Sequence, residues 1–255
     1  MQITIQLIGE HISLPIASSE SIQGLLYKAI SEDRSYSTKV HEEGRCFDGR
    51  KYKLFTFGEP EGRYMIQGTE IVYLNGMRLR VRSLDPYFIQ LLFAYFTKHE
   101  QVWIGNNNVK VGKVTLNDDR IFEDRIVIRT LSPITAYVTG EDGHTVYYSP
   151  KDDNFYNSLI TNAKRKWGSV YGDAEVPTLC IRGVEDARYI KRATRFKSTY
   201  ITAWHGTFVL EGAPQILDFL YQVGLGSKNS QGFGMFEVTE RGPGVKHKGT
   251  GTVLD

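Results

Sequence analysis

Three residues suited to proton transfer and anion binding lie in the first quarter of the chain: Tyr27, His41 and Lys53. A histidine, with an ordinary pKa of about 6.5, gives or takes a proton at neutral pH, as acid-base chemistry at a phosphodiester requires. A lysine holds a phosphate or the charge that builds on it during reaction. Lys51 and Lys53 flank Tyr52 on one strand face, and either could serve. Lys53 directly adjoins the apolar run Leu54-Phe-Thr-Phe57, so its position is the better fixed.

A second chemical feature lies near the other end. Gly224, Gly226, Gly232 and Gly234 frame a polar tip of Lys228, Asn229 and Ser230. Glycines adopt positive φ and admit close backbone approach, so the segment is expected to fold sharply and to offer amide donors to phosphates. It follows a helical pattern and precedes a strand, the reverse of a dinucleotide fingerprint, and no Lys-Ser or Lys-Thr pair opens a helix as ATP-binding loops require.

Net charge is only +2 and the pI about 8.4, yet Arg188, Lys191, Arg192, Arg195 and Lys197 crowd into ten residues, with Lys164, Arg165 and Lys166 forming a smaller run. Such local density in a nearly neutral chain points to an anionic partner. Tyr189, Phe196, Tyr200 and Trp204 lie among or near these cations, a composition suited to phosphate neutralisation plus base stacking, although Trp204 and His205 read as strand residues that pack in the sheet. Arg78, Arg80 and Arg82 share one strand face, as a phosphate track would require.

Several classes are disfavoured. No metal or cofactor is expected, because the metalloprotease, zinc-deaminase and EF-hand spacings are missing and the acidic pairs fall in turn-like sequence. No Gly-x-Ser-x-Gly elbow occurs. Cys46 and Cys180 fit neither a zinc ladder nor a redox pair, which favours a cytoplasmic protein with free thiols. The N-terminus alternates like a strand and not a signal peptide, and no apolar stretch approaches a membrane span.

The elements that must position these groups follow from hydrophobic period. A strand over Gln2 to Ile8 precedes a helix over Ser19 to Ser31, whose apolar stripe is Ile22, Leu25, Leu26, Ala29 and Ile30; Tyr27 projects away from it. A strand over Tyr52 to Phe57, a strand pair meeting at Asn75-Gly76, a helix over Pro86 to Lys98 and a strand pair across Asn106 to Asn108 complete a βαββαβ order. The second half repeats it: strands within Arg125 to Val138, a helix over about Lys151 to Trp167, strands within Pro177 to Val184 and Thr199 to Leu210, a helix over Ala213 to Val223, and a last strand after the glycines. The expected fold class is α+β, with tandem ferredoxin-like domains at 1–117 and 125–240, a glycine-rich loop in the second, and a flexible tail at 241–255.

Six segments together resemble the CRISPR-associated repeat-specific endoribonucleases of the RAMP superfamily. They are Gln23-Gly-Leu-Leu-Tyr-Lys-Ala-Ile30, Val40-His-Glu42, Lys53-Leu-Phe-Thr-Phe57, Leu131-Ser-Pro-Ile134, Thr202-Ala-Trp-His205 and Val223-Gly-Leu-Gly-Ser-Lys-Asn-Ser-Gln-Gly-Phe-Gly234, in family order along the chain. The resemblance implies metal-independent cutting of precursor CRISPR RNA within repeats, leaving a 2′,3′-cyclic phosphate and a 5′-hydroxyl. It carries the catalytic tyrosine, histidine and lysine onto Tyr27, His41 and Lys53, with either Tyr27 or His41 as base. Repeat RNA is the expected partner. A CRISPR effector complex is a further one, and a monomer and a homodimer are both open. Charge placement, apart from the resemblance, puts Arg188 to Lys197 and Lys228 on RNA phosphates. The competing reading is a non-catalytic subunit that binds CRISPR RNA.

Overall fold

The computed structural model describes residues 1–172, 174–196 and 199–242. Two antiparallel sheets organise them. The first has the order Phe55–Phe57, Met77–Ser83, Gln2–Ile8, Asn107–Asn117, with the short strand Gln101–Ile104 added at the far edge. The second has the order Leu179–Gly183, Thr207–Gly212, Arg125–Thr130, Phe236–Gly242. Numbered within each half, both read 2-3-1-4, the order of a ferredoxin-like sheet, and the fold is therefore the α+β tandem expected from the period pattern.

Each sheet is covered by two main helices: α1 (Ser19–Ile30) and α3 (Pro86–Lys98) on the first, α4 (Asp153–Tyr171) and α5 (Pro214–Val223) on the second. A short helix, α2 (Arg34–Thr38), follows α1. The α1 stripe buries Ile22, Leu25, Leu26, Ala29 and Ile30 against Ile3, Ile5 and Leu79, and Tyr27 sits half-buried at the rim. The second core gathers Ile126, Ile128, Phe155, Leu159, Phe208 and Leu217. No helix among the described residues is long and apolar enough to cross a membrane.

Three sequence expectations are corrected. The strands on either side of Asn75-Gly76 do not pair with each other. Glu70–Leu74 joins His11–Pro15 and Tyr64–Gln67 in a separate sheet, whereas Met77–Ser83 enters the main one. The positive φ of Asn75 (67°) and Gly76 (100°) turns the chain between sheets, and a Cβ at Gly76 would meet the Leu7 carbonyl. The arginine row is no phosphate track. Arg78 and Arg80 pair with Glu61, and Arg80 also reaches Glu237. Arg82 is 2% exposed, donates to the Phe236 and Tyr221 carbonyls and lies 3.6 Å from the Tyr221 ring centre, so this face ties the two halves together. Finally, the last strand extends through Gly242 with Arg241 opposite Ile126, so the first two residues assigned to the tail are paired; 243–255 lie outside the described residues.

Candidate active site

Tyr27, His41 and Lys53 converge although the chain takes a complicated path between them. Asp33 caps α2 by accepting from the Tyr36 amide, and the helix continues into a π-turn, Lys39–Glu43, which carries His41. Gly44 ends the turn at φ 57°, where a side chain would strike the Tyr52 carbonyl. The hairpin Arg45–Phe47 and Arg50–Tyr52 then returns the chain to Lys53. Phe47 packs against Gly168 of α4, and Arg165 holds Asp48 at 2.8 Å, so α4 anchors the hairpin. The sequence pattern read Tyr52 to Phe57 as one strand. Lys53 and Leu54 instead form a break, with the Phe55 amide donating to the Lys53 carbonyl.

The Lys53 ammonium donates to Tyr27 Oη at 2.9 Å, and the Tyr27 and His41 rings meet edge to face with centres 4.9 Å apart. Burial pushes the Tyr27 phenol up to about 12. The Lys53 hydrogen bond acts in the opposite sense by favouring phenolate. Tyr27 still holds its proton at neutral pH, accepting from lysine while its own O–H remains a donor.

These groups line a cavity of about 580 Å³ together with Arg50, Lys51, Lys166, Lys228, Asn229 and Ser230. Four lysines, Arg50 and His41 surround it, and among the described residues no carboxylate does. Among the described residues no three His, Cys, Asp or Glu side chains come together as a metal set.

The glycine segment is the cavity's other wall. All four glycines have positive φ, 85° at Gly224, 71° at Gly226, 84° at Gly232 and 74° at Gly234. The amides of Leu225, Ser227, Gln231, Gly232 and Gly234 donate to carbonyls within the fold. The segment also presents the Lys228 side chain, whose ammonium lies 5.1 Å from the Tyr137 ring centre. Gln23, one helical turn before Tyr27, donates to the Ser230 carbonyl at 2.5 Å. Thr56 donates to the Phe233 carbonyl, docking the loop onto the first half.

Replacing Gly234 by alanine is expected to destabilise the fold by more than 3 kcal/mol, about 1–2 of it from the left-handed backbone. The remainder comes from driving a methyl into the Leu225 carbonyl. Gly143→Ala is the matched control, since its φ is 79° and nothing lies within 4 Å of its Cβ position. Equal losses in urea denaturation would show that the close approach contributes nothing.

Lys228 thus joins the three proton-transfer candidates, whereas Arg188, Lys191, Arg192 and Arg195 do not line this cavity. Arg188 lies in the preceding loop, and the other three are exposed on the hairpin Ile190–Phe196 and Thr199–His205. Lys197 lies outside the described residues. Trp204 packs against Phe155 in the second core, as expected of a strand residue.

Sequence reasoning named Lys166 only within a basic run and Asn229 only as part of the glycine-loop tip, and it singled out neither Gln23 nor Arg50. Lys166, 3% exposed, donates to the Gly224 and Gly226 carbonyls and to Asn229 Oδ1, while Asn229 Nδ2 donates to the Leu225 and Phe233 carbonyls. Burial pulls the Lys166 ammonium down to about 7.

Residues 116–238 match the family model described as CRISPR associated protein Cas6, C-terminal. The chain is 27% identical to the CRISPR-associated endoribonuclease Cas6 of Pyrococcus furiosus, covering 93% of this chain and 90% of that protein. It is 25% identical to the CRISPR-associated endoribonuclease Cas6 1 of Methanocaldococcus jannaschii, with 92% and 91% covered. A solved structure described as an RAMP protein binding different RNA substrates shares the fold, with a TM-score of 0.80, 20% identity, and 94% and 100% coverage. Over more than nine-tenths of its length the chain is similar to proteins named CRISPR-associated endoribonuclease Cas6, and its residues 116–238 match the model of the Cas6 C-terminal region.

Proposed function

We propose that this protein is an endoribonuclease that cuts precursor CRISPR RNA within its repeats, without a metal, and leaves a 2′,3′-cyclic phosphate and a 5′-hydroxyl. The observation that carries the reading is the meeting of Tyr27, His41 and Lys53 in a cavity ringed by cations and, among the described residues, free of carboxylates. The names of the two curated relatives point the same way.

His41 takes the proton from the 2′-hydroxyl, which attacks the adjacent phosphorus in line. A P–O2′ bond forms, the P–O5′ bond breaks, and the departing 5′-oxygen receives a proton. Tyr27, still protonated, gives its proton to that oxygen, and the proton taken by His41 returns through solvent to restore the phenol. Lys53 holds Tyr27 and stabilises the extra charge on the phosphorane-like transition state. Lys228 neutralises a neighbouring phosphate, and the exposed Arg188, Lys191, Arg192 and Arg195 guide the RNA outside the cavity.

The deciding experiment is incubation of end-labelled repeat RNA with the protein in excess EDTA, followed by analysis of the product ends. A single cut with a cyclic phosphate and a 5′-hydroxyl is expected. Tight binding without product would replace this reading with that of a non-catalytic RNA-binding subunit.

A further inference from the structure

In-line attack imposes a demand on the substrate's shape. The 2′-oxygen, phosphorus and 5′-oxygen must lie near one line, and a stacked RNA strand keeps them far from it. The two nucleosides flanking the cut must therefore be splayed apart and held in different places.

A second cavity of about 730 Å³ meets the first at Tyr52 and Lys53, the two residues that line both. Its character differs. Leu54 and Leu84 contribute apolar surface over the buried rings of Phe55 and Phe88, with Tyr171 also in its wall. Tyr171 is 47% exposed, and its ring packs on Trp167 with centres 4.2 Å apart. Lys39 and Arg45 add positive charge, while Asp85, in the same wall, accepts from Tyr36 Oη and the Tyr87 amide. Aromatic and apolar walls beside cations are the chemistry that receives an unstacked base of single-stranded RNA.

Resting on the endoribonuclease reading, we infer that this second cavity is a nucleobase subsite. It receives the base of one of the two nucleosides flanking the scissile phosphate, stacked against Tyr171, while the phosphate sits on Lys53 at the junction. The separation of the two cavities supplies the splay that in-line attack requires. The base is held through its face, so stacking strength sets preference there.

The test is an abasic scan of a synthetic repeat RNA carrying 2′-fluoro sugars, which cannot cyclise, against the wild-type protein, Tyr171→Ala and Tyr171→Phe. Removing one base is expected to weaken wild-type binding by about 5- to 100-fold. Tyr171→Ala should show a comparable loss with intact RNA and no further loss when that base is removed, with Tyr171→Phe behaving as wild type. The coupled position should adjoin the cut mapped on the ribose form. If Tyr171→Ala keeps the full wild-type sensitivity at every position, or if no position is sensitive, the subsite is refuted. Coupling without any cleavage of the ribose RNA would leave the subsite standing and remove the nuclease reading.

Discussion

Replacing His41 by alanine is expected to slow single-turnover cleavage of repeat RNA by about 10²- to 10⁴-fold, the usual contribution of a positioned acid-base group. Affinity for the uncleavable 2′-fluoro RNA should change far less. The size of the effect follows from what its neighbours can do. With the Tyr27 phenol pushed up to about 12 by burial, phenolate is scarce at neutral pH, so Tyr27 is a poor substitute base. Lys53 donates to Tyr27 and serves as a source of charge rather than an acceptor. His99 is the comparison, because its ring stacks on Tyr95 at the end of α3, away from the cavity. His99→Ala should cut at the wild-type rate. A His41→Ala protein as fast as His99→Ala would end the proposed mechanism.

Local patterns revealed much of the fold because each main element has a clear period or a clear stop. The α1 stripe placed Tyr27 off the core face, and the strand order emerged from two βαββαβ halves. Pairing between sheets was hidden. Asn75-Gly76 carries the signal of a hairpin, yet its geometry serves a crossover, since turn residues fix local φ and not the partner of the strand that follows. The Arg78, Arg80 and Arg82 row had the right alternation for an exposed face, but that face meets the second half, and only tertiary contact turns cations into ties. Charge density at Arg188 to Arg195 marked an exposed hairpin and the loop before it, outside the cavity, because composition gives the density of charge and not its place in the fold. Lys166 left a readable trace: it lies three and seven residues after the buried Ala163 and Leu159, on the apolar stripe of α4, where an unpaired cation would be anomalous.

That anomaly leads to the second large effect. Lys166→Met is expected to lower the cleavage rate by about 10- to 100-fold, the scale set by misplacing groups by about 1 Å. An ammonium has three donors, and three oxygens surround it: the Gly224 and Gly226 carbonyls and Asn229 Oδ1. Methionine satisfies none, so the loop that carries Lys228 and meets Gln23 beside Tyr27 loses its inner brace. Stability supplies an independent reading. The Lys166 pKa is about 7 in the folded protein against an ordinary 10.5, so between these values the unfolded chain binds more protons than the native one. The lysine's contribution therefore makes the wild type more stable as pH rises from about 7 toward 10.5, by up to about 1.4 kcal/mol per pH unit, and that gain is lost as pH falls through the window. Urea denaturation at pH 7 and pH 9.5 should show the Met variant gaining less than the wild type over this range. Parallel profiles would mean that Lys166 does not titrate there, and an unchanged cleavage rate would mean that the loop keeps its shape without the brace.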